Sequence, residues 1–158
     1  MRLAGSAALV ALVVAGAAAA ATFQSPNGAA KVTLSSTSAG ARNVAVTVQI
    51  PSVLQCGRPT GVPVAITLPG GERMPRSIAA STVRVNGVQP SKVTIAGRVV
   101  TVSLPARRGI TCFALVEGIM KISFPSTVAF GNPSSAGTYA FGIRQGKTAY
   151  VVPVAIKG

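Results

Sequence analysis

Most of the chain after residue 30 alternates apolar and polar residues with a period of two. Val44, Val46, Val48 and Ile50 alternate with smaller or more polar residues, and the pattern returns in 62–68 and 98–104. Successive side chains of a strand point to opposite faces, so this alternation predicts half-buried β-strands. Shorter apolar runs at 31–34, 83–85, 93–95, 119–124, 139–143 and 150–156 bring the predicted total to eight or nine strands.

The residues between these runs favour tight turns. Asn86-Gly87 is a strong two-residue hairpin signal, and Ala96-Gly97 indicates a second hairpin. No segment after residue 30 repeats with the period of an amphipathic helix. The sequence therefore predicts an all-β fold, an antiparallel Ig-like sandwich of eight or nine strands. Pro63 and Pro153 fall inside strand patterns, which predicts edge strands or bulges there.

One segment resembles a known class of module. Residues 132–141 read Asn-Pro-Ser-Ser-Ala-Gly-Thr-Tyr-Ala-Phe, similar to the corner and late core strand of bacterial extracellular Ig-like, cell-surface β-sandwich modules. The resemblance covers about a third of the mature chain. It implies an Ig-like sandwich with Tyr139 as a corner residue, and no catalytic or ligand residue. Unlike antibody-type domains, the chain has no Trp, and Phe141 stands where their second Cys would be.

The N-terminus has the features of an export signal. Arg2 precedes an apolar stretch that ends in alanines, so residues 1–21 are predicted to be a secretory signal peptide cleaved after Ala21. An uncleaved membrane anchor is the alternative, because about 18 apolar residues can span a bilayer. Residues 22–30 are predicted to form a flexible N-terminal arm, and 31–158 a single sandwich domain without a transmembrane segment. The predicted location is extracytoplasmic, in the cell envelope or secreted.

The charged residues restrict the chemistry. Fifteen Lys and Arg face two Glu, and the chain has neither Asp nor His, which gives a formal net charge of +13. This composition excludes Asp/His-supported triads, histidine metal sites and carboxylate-rich cation cages. We therefore predict no enzymatic activity, no cofactor and no metal. A Ser/Lys dyad is the one nucleophilic alternative, and its usual motifs do not occur in the mature chain.

Cys56 and Cys112 are the only cysteines. In an exported protein two cysteines are expected to form one disulfide, with two unpaired buried thiols as the alternative. Pairing would bring Arg58 within on the order of 10–15 Å of Arg107 and Arg108. These three arginines are the candidate anion-contacting residues, together with Arg73 and Arg76 as outliers.

Two functions follow from the basic charge and the strand pattern. The first is a non-enzymatic secreted protein whose basic loops associate with anionic envelope polymers or lipid head groups. Nucleic acid is a poorer fit, because the few aromatic residues fall mainly at core-facing positions. The second is a structural or assembly subunit that pairs through sheet edges with itself or a partner protein. The charge could also serve solubility alone.

Overall fold

A computed structural model of the chain describes residues 20–51, 62–104 and 118–158. Short 3-10 turns cover Ala80–Thr82 and Ser126–Val128. The strands are β1 (Ala21–Gln24), β2 (Lys31–Leu34), β3 (Arg42–Val44), β4 (Val46–Pro51), β5 (Val64–Thr67), β6 (Arg84–Val85), β7 (Lys92–Ala96), β8 (Val99–Ser103), β9 (Ile119–Phe124), β10 (Phe130–Gly131), β11 (Gly137–Gln145) and β12 (Thr148–Ile156).

Ten of these strands form two five-stranded sheets. Sheet A has the order β1-β2-β4-β9-β6, sheet B has the order β12-β11-β5-β8-β7, and β10 pairs with β3. Neighbouring strands in each sheet are antiparallel, so the predicted all-β antiparallel fold is confirmed. The strands that the sequence pattern did not predict are β1 and β10, and the single strand predicted through Val44 and Ile50 is divided into β3 and β4. β1, β3 and β10 each have at most four residues, too few for alternation to stand out.

The inward residues of the two sheets share one core. In β4, Val46, Val48 and Ile50 are buried, whereas Thr47 and Gln49 lie on the outer face of sheet A. Phe124 and Phe130 meet edge to face, with ring centroids 5.5 Å apart. Burial of these alternating residues is the main stabilising contribution, at roughly 25 cal/mol per Å² of apolar surface.

The two strand prolines have different positions. Pro153 lies in β12 at the edge of sheet B, as predicted. The prediction for Pro63 is wrong, because β5 lies at the centre of sheet B between β11 and β8. The strand begins at Val64, one residue after the proline, so no ladder hydrogen bond is lost.

The flexible arm predicted for residues 22–30 is also wrong. All four residues of β1 pair with β2, and Phe23 packs against the core. The turn between them is held by Ser25, whose hydroxyl donates to Oδ1 of Asn27 (2.7 Å) and accepts from the backbone N–H of Ala30 (2.9 Å). The sequence of this turn is typical of a loose turn. These local hydrogen bonds order it, so that it connects the two strands of an edge hairpin.

The predicted signal peptide lies almost wholly outside the described residues, which begin at Ala20. Its cleavage after Ala21 therefore stays a prediction. Among the described residues, none of the helical segments has the length and apolar character needed to cross a bilayer.

The predicted corner residue makes the contact expected of it. The hydroxyl of Tyr139 donates to the carbonyl of Ser135 at 3.0 Å. Asn132, at the start of the same segment, is buried, and its side-chain amide donates to the carbonyls of Ser36 and Ser38, both at 2.9 Å. These bonds fix the chain reversal that leads into β11, whereas the Ig-like assignment itself stays a prediction.

Candidate functional site

The strand register divides the sandwich into two ends. In sheet A, Pro51 at the end of β4 pairs with Ile119 at the start of β9. In sheet B, Val64 near the start of β5 pairs with Val102 near the end of β8. The residues that flank 52–61 and 105–117 therefore lie at one end, which we call the loop end. The opposite end, where Val46 pairs with Phe124 and Thr67 with Val99, is the far end.

The second of the two segments that depart from the loop end contains a continuous apolar run, and the first contributes two large apolar residues. Both lie outside the described residues, and their sequences include Val53, Leu54, Ile110, Phe113, Leu115 and Val116. This apolar content was missed in the sequence analysis because it shows no alternation. The signal was nevertheless present, since four consecutive apolar residues at 113–116 interrupt a region that otherwise consists of half-buried strands.

Exposed apolar side chains of the described residues also lie at the loop end. Val88 is 56% exposed and Ile119 is 47% exposed. Asn86 and Gly87 have positive φ angles of 49° and 82°, as a tight hairpin turn requires. The side-chain amide of Asn86 donates to the carbonyl of Ile119 at 3.2 Å and its Oδ1 accepts from the N–H of Lys121 at 2.6 Å. The turn is therefore fixed to the start of β9, and Val88, which follows it and pairs with Val85, lies beside it at the edge of sheet A.

A third exposed side chain adjoins this end. Val151 is 58% exposed and lines a groove of about 280 Å³ with residues 25–27 of the β1–β2 turn. That turn is at the loop end, because Lys31 at the start of β2 pairs with Gln49 near the end of β4. Val151 pairs with Gly142, which pairs with Thr67 of the far end, so the strand register does not place Val151 at the loop end, although it lines a groove with the β1–β2 turn.

The structure describes two of the five predicted anion-contacting residues. Arg58, Arg107 and Arg108 lie outside the described residues, in the two segments that depart from the loop end. Arg73 and Arg76 are exposed and belong to the far end. The backbone of Arg73 exchanges two hydrogen bonds with Gly131, at 2.9 and 3.1 Å, and Gly131 follows Phe130, the partner of Val44. Arg73 and Arg76 therefore do not join the loop end.

The far end has an arginine that the sequence analysis did not select. Arg42 pairs with Gly131 on one side, and Arg73 forms a bridge to Gly131 on the other. Both arginines are exposed, and residues opposite one another in a sheet carry their side chains on the same face. The juxtaposition depends on pairing between distant parts of the chain, which residue spacing does not show.

Glu72, also in the far-end loop, has an unusual environment. Its Oε2 is buried and has no hydrogen-bond partner among the described residues. Burial raises the pKa of this carboxyl from 4.5 to about 8, since desolvation disfavours the charged form. The carboxyl is therefore mostly protonated at pH 7 and leaves the surrounding basic charge unopposed.

This pKa predicts a pH-dependent stability. The unfolded chain ionises Glu72 near pH 4.5 and the folded chain near pH 8, so folded stability decreases as the pH rises through that window. The full shift corresponds to about 5 kcal/mol, of which we expect about 2 kcal/mol because the residue is only partly buried. In urea unfolding, Glu72→Gln should be about 2 kcal/mol more stable than the parent at pH 8.5 and equal to it at pH 4. The same difference at both pH values would contradict this assignment.

Cys56 and Cys112 lie outside the described residues, so their pairing stays a prediction. The positions of the residues that flank the two segments are nevertheless compatible with this disulfide. Cys56 follows Pro51 by five positions and Cys112 precedes Gly118 by six, and Pro51 is paired with Ile119. An extended chain spans at most about 3.5 Å per residue, so both thiols have the reach to meet at the loop end.

The chain is similar in structure to a known protein. No protein-family model and no curated protein matches the chain. Among solved structures, the chain is similar to BslA, described as a bacterial hydrophobin, with a TM-score of 0.50 and 18% sequence identity. The alignment covers 88% of this chain and 98% of that chain. At this identity the likeness shows the fold alone, an all-β architecture shared with a bacterial hydrophobin.

Proposed function

We propose that the protein is a secreted, non-enzymatic structural protein whose loop end contacts apolar surfaces. The observation that carries this proposal is the position of Ile119, which is exposed at the start of β9 where it pairs with Pro51, with the exposed Val88 beside the turn that contacts it. Exposed apolar residues that gather in one place are typical of interaction surfaces, whereas single ones scattered over a surface need no explanation.

The rest of the molecule supports such a role. The two five-stranded sheets share one core behind the loop end, and the formal charge of +13 opposes uncontrolled association in solution. The likeness to a bacterial hydrophobin supports a structural over a catalytic function. The composition also supports it, because the chain offers no histidine and two carboxylates for acid–base chemistry.

Adsorption to an oil–water interface tests the proposal. The mature protein should lower interfacial tension, and Ile119→Lys combined with Val88→Lys should slow adsorption about tenfold, because each charge must be desolvated at the apolar phase. Ala79→Lys combined with Ala96→Lys is the matched control, since both alanines are exposed and remote from the loop end. Equal slowing by both pairs would show that net charge alone governs adsorption and would refute the proposed role of the loop end.

A second candidate function is association with anionic envelope polymers or lipid head groups through the basic loops. The observation that favours it is the pair of exposed arginines, Arg42 and Arg73, on the two sides of Gly131, beside Glu72, whose pKa is raised by burial. Binding of this kind weakens as salt screens the charges, whereas adsorption through apolar residues does not. Measuring retention on anionic envelope fragments at low and high salt therefore separates the two candidates.

Assembly through sheet edges is the remaining alternative. β7 is a five-residue edge strand of sheet B that has no partner strand on one side among the described residues, and β1 and β6 are the edges of sheet A. The opposite edge of sheet B is less suited to pairing with another strand, because Pro153 in β12 lacks a backbone N–H that could donate a hydrogen bond. Lys92 at the start of β7 also disfavours edge pairing between copies.

A further inference from the structure

The outer face of sheet A carries two ordered rows of polar side chains across four adjacent strands. Residues in register form the hydroxyl row, which comprises Thr22, Thr33, Thr47 and Ser123. The lysine row lies two residues away from the hydroxyl row along each strand. It comprises Gln24, Lys31, Gln49 and Lys121. None of the eight side chains is buried. Strand geometry places the rows about 6.6 Å apart.

The side chains within these rows are close enough to act together. The hydroxyls of Thr22 and Thr33 are 2.8 Å apart, within hydrogen-bonding distance. In the lysine row, amide and ammonium groups alternate, so Lys31 and Lys121 lie on strands separated by one other strand. That separation is about 9.5 Å between strand axes. The face therefore presents regularly spaced cations next to a line of hydroxyl groups.

A groove continues the lysine row toward the loop end. It has a volume of about 360 Å³, and its described lining residues are Gly28, Ala29, Lys31, Gln49, Ile50, Pro51, Gly118 and Ile119. Lys31 and Gln49 thus belong both to the row and to the groove. The volume lies within the range of small-molecule sites, about 300–1,000 Å³. A polymer could lie along the row with one of its units in the groove.

We propose that this face binds an acidic polysaccharide, with its carboxylate groups on Lys31 and Lys121. Hydroxyl and amide side chains both donate and accept hydrogen bonds, which suits a ligand covered with hydroxyl groups. Ammonium groups attract carboxylates without demanding a fixed orientation. The spacing of the two lysines matches an extended chain that carries its charges at regular intervals.

Nucleic acid is a poorer ligand for the same face. Sequence-independent binding of single strands uses aromatic side chains on which bases stack. The eight side chains of the two rows include no aromatic residue, and Phe23, the aromatic residue of β1, packs against the core. The chemistry of the face therefore favours a hydroxyl-rich polyanion over a base-bearing one.

Titration of the mature protein with polygalacturonate tests the inference. Lys31→Gln combined with Lys121→Gln should weaken binding about tenfold, through loss of two charge-assisted contacts. Lys92→Gln combined with Lys147→Gln removes the same charge from sheet B and the β11–β12 turn, and should weaken binding less than about twofold. Thr33→Val combined with Thr47→Val keeps the charge and should still weaken binding about threefold, because hydrogen bonds are lost.

Each other outcome would overturn the inference. Equal weakening by the two lysine pairs would show that net charge alone attracts the polymer. Equal affinity for single-stranded DNA of the same charge would show that the hydroxyl row contributes nothing to recognition. An unchanged affinity of the Thr33→Val, Thr47→Val variant for polygalacturonate would show the same. Equal affinity for uncharged dextran would exclude a role for the lysines. Adsorption to oil is measured separately, so failure here leaves the proposed function of the loop end standing.

Discussion

Phe130→Ala should lower the free energy of unfolding by about 4 kcal/mol, as truncation of a fully buried Phe does. Phe130 is 1% exposed and packs edge to face on Phe124. It also borders a gap in the core, too small for a water molecule, that is shared with Val46, Ile66, Leu68, Val100, Phe124 and Phe141. Removing the ring would enlarge this gap between the sheets, and the rigid strands on either side would limit collapse.

Urea unfolding monitored by circular dichroism measures the effect. The matched control is Val151→Ala, which shortens a side chain that is 58% exposed and should change stability by less than about 0.5 kcal/mol. A loss below about 1 kcal/mol for Phe130→Ala would mean that the ring does not fill the core between the sheets.

The architecture was largely predictable from the sequence, because burial follows a period of two in the longer strands. The residues Val46, Val48 and Ile50 were predicted to face the core and do so. The hairpin at Asn86-Gly87 was also predictable, since positive φ angles favour these two residue types. Short elements such as β3 and β10 were not predictable, because their pairing depends on register between distant residues and not on local pattern.

The candidate sites were harder to predict for the same reason. The residues of the lysine row come from four different strands. They are aligned only because of the register between these strands, and they are Gln24, Lys31, Gln49 and Lys121. Lys121 is exposed, as the alternation in 119–124 indicates, but that alternation does not show which residues lie beside it. Glu72 looked like an ordinary surface carboxylate, and only the burial of its Oε2 distinguishes it.

The loop end and the outer face of sheet A can act at the same time. The loop end lies where the strands end, whereas both polar rows lie on the outer face of one sheet, the hydroxyl row near its middle and the lysine row nearer the loop end. A molecule adsorbed to an apolar phase by its loop end would therefore keep the lysine row exposed to water. Such a molecule could link an apolar boundary to an anionic polymer, with Lys31 and Gln49 near the junction of the two surfaces.

The Cys56–Cys112 disulfide is expected to be the main covalent constraint on the loop end. The bond would close a loop of about 55 residues and stabilise the folded state by roughly 3 kcal/mol, chiefly by restricting the unfolded chain. The pairing of Pro51 with Ile119 already holds the flanks of the two segments together, so the constraint should add little strain. Cys56→Ser and Cys112→Ser should each lower the free energy of unfolding by about 3 kcal/mol.

Intact-mass measurement of the exported protein provides the direct check, because the disulfide form lacks two hydrogen atoms relative to the dithiol. The double variant Cys56→Ser with Cys112→Ser is the matched control and should be no less stable than either single variant, since one broken bond accounts for all three losses. Loss of the bond should also slow adsorption to oil, because the apolar segments would have to be ordered at the interface. Two thiols that alkylate freely in the native protein would refute the pairing, and with it the predicted grouping of Arg58 with Arg107 and Arg108.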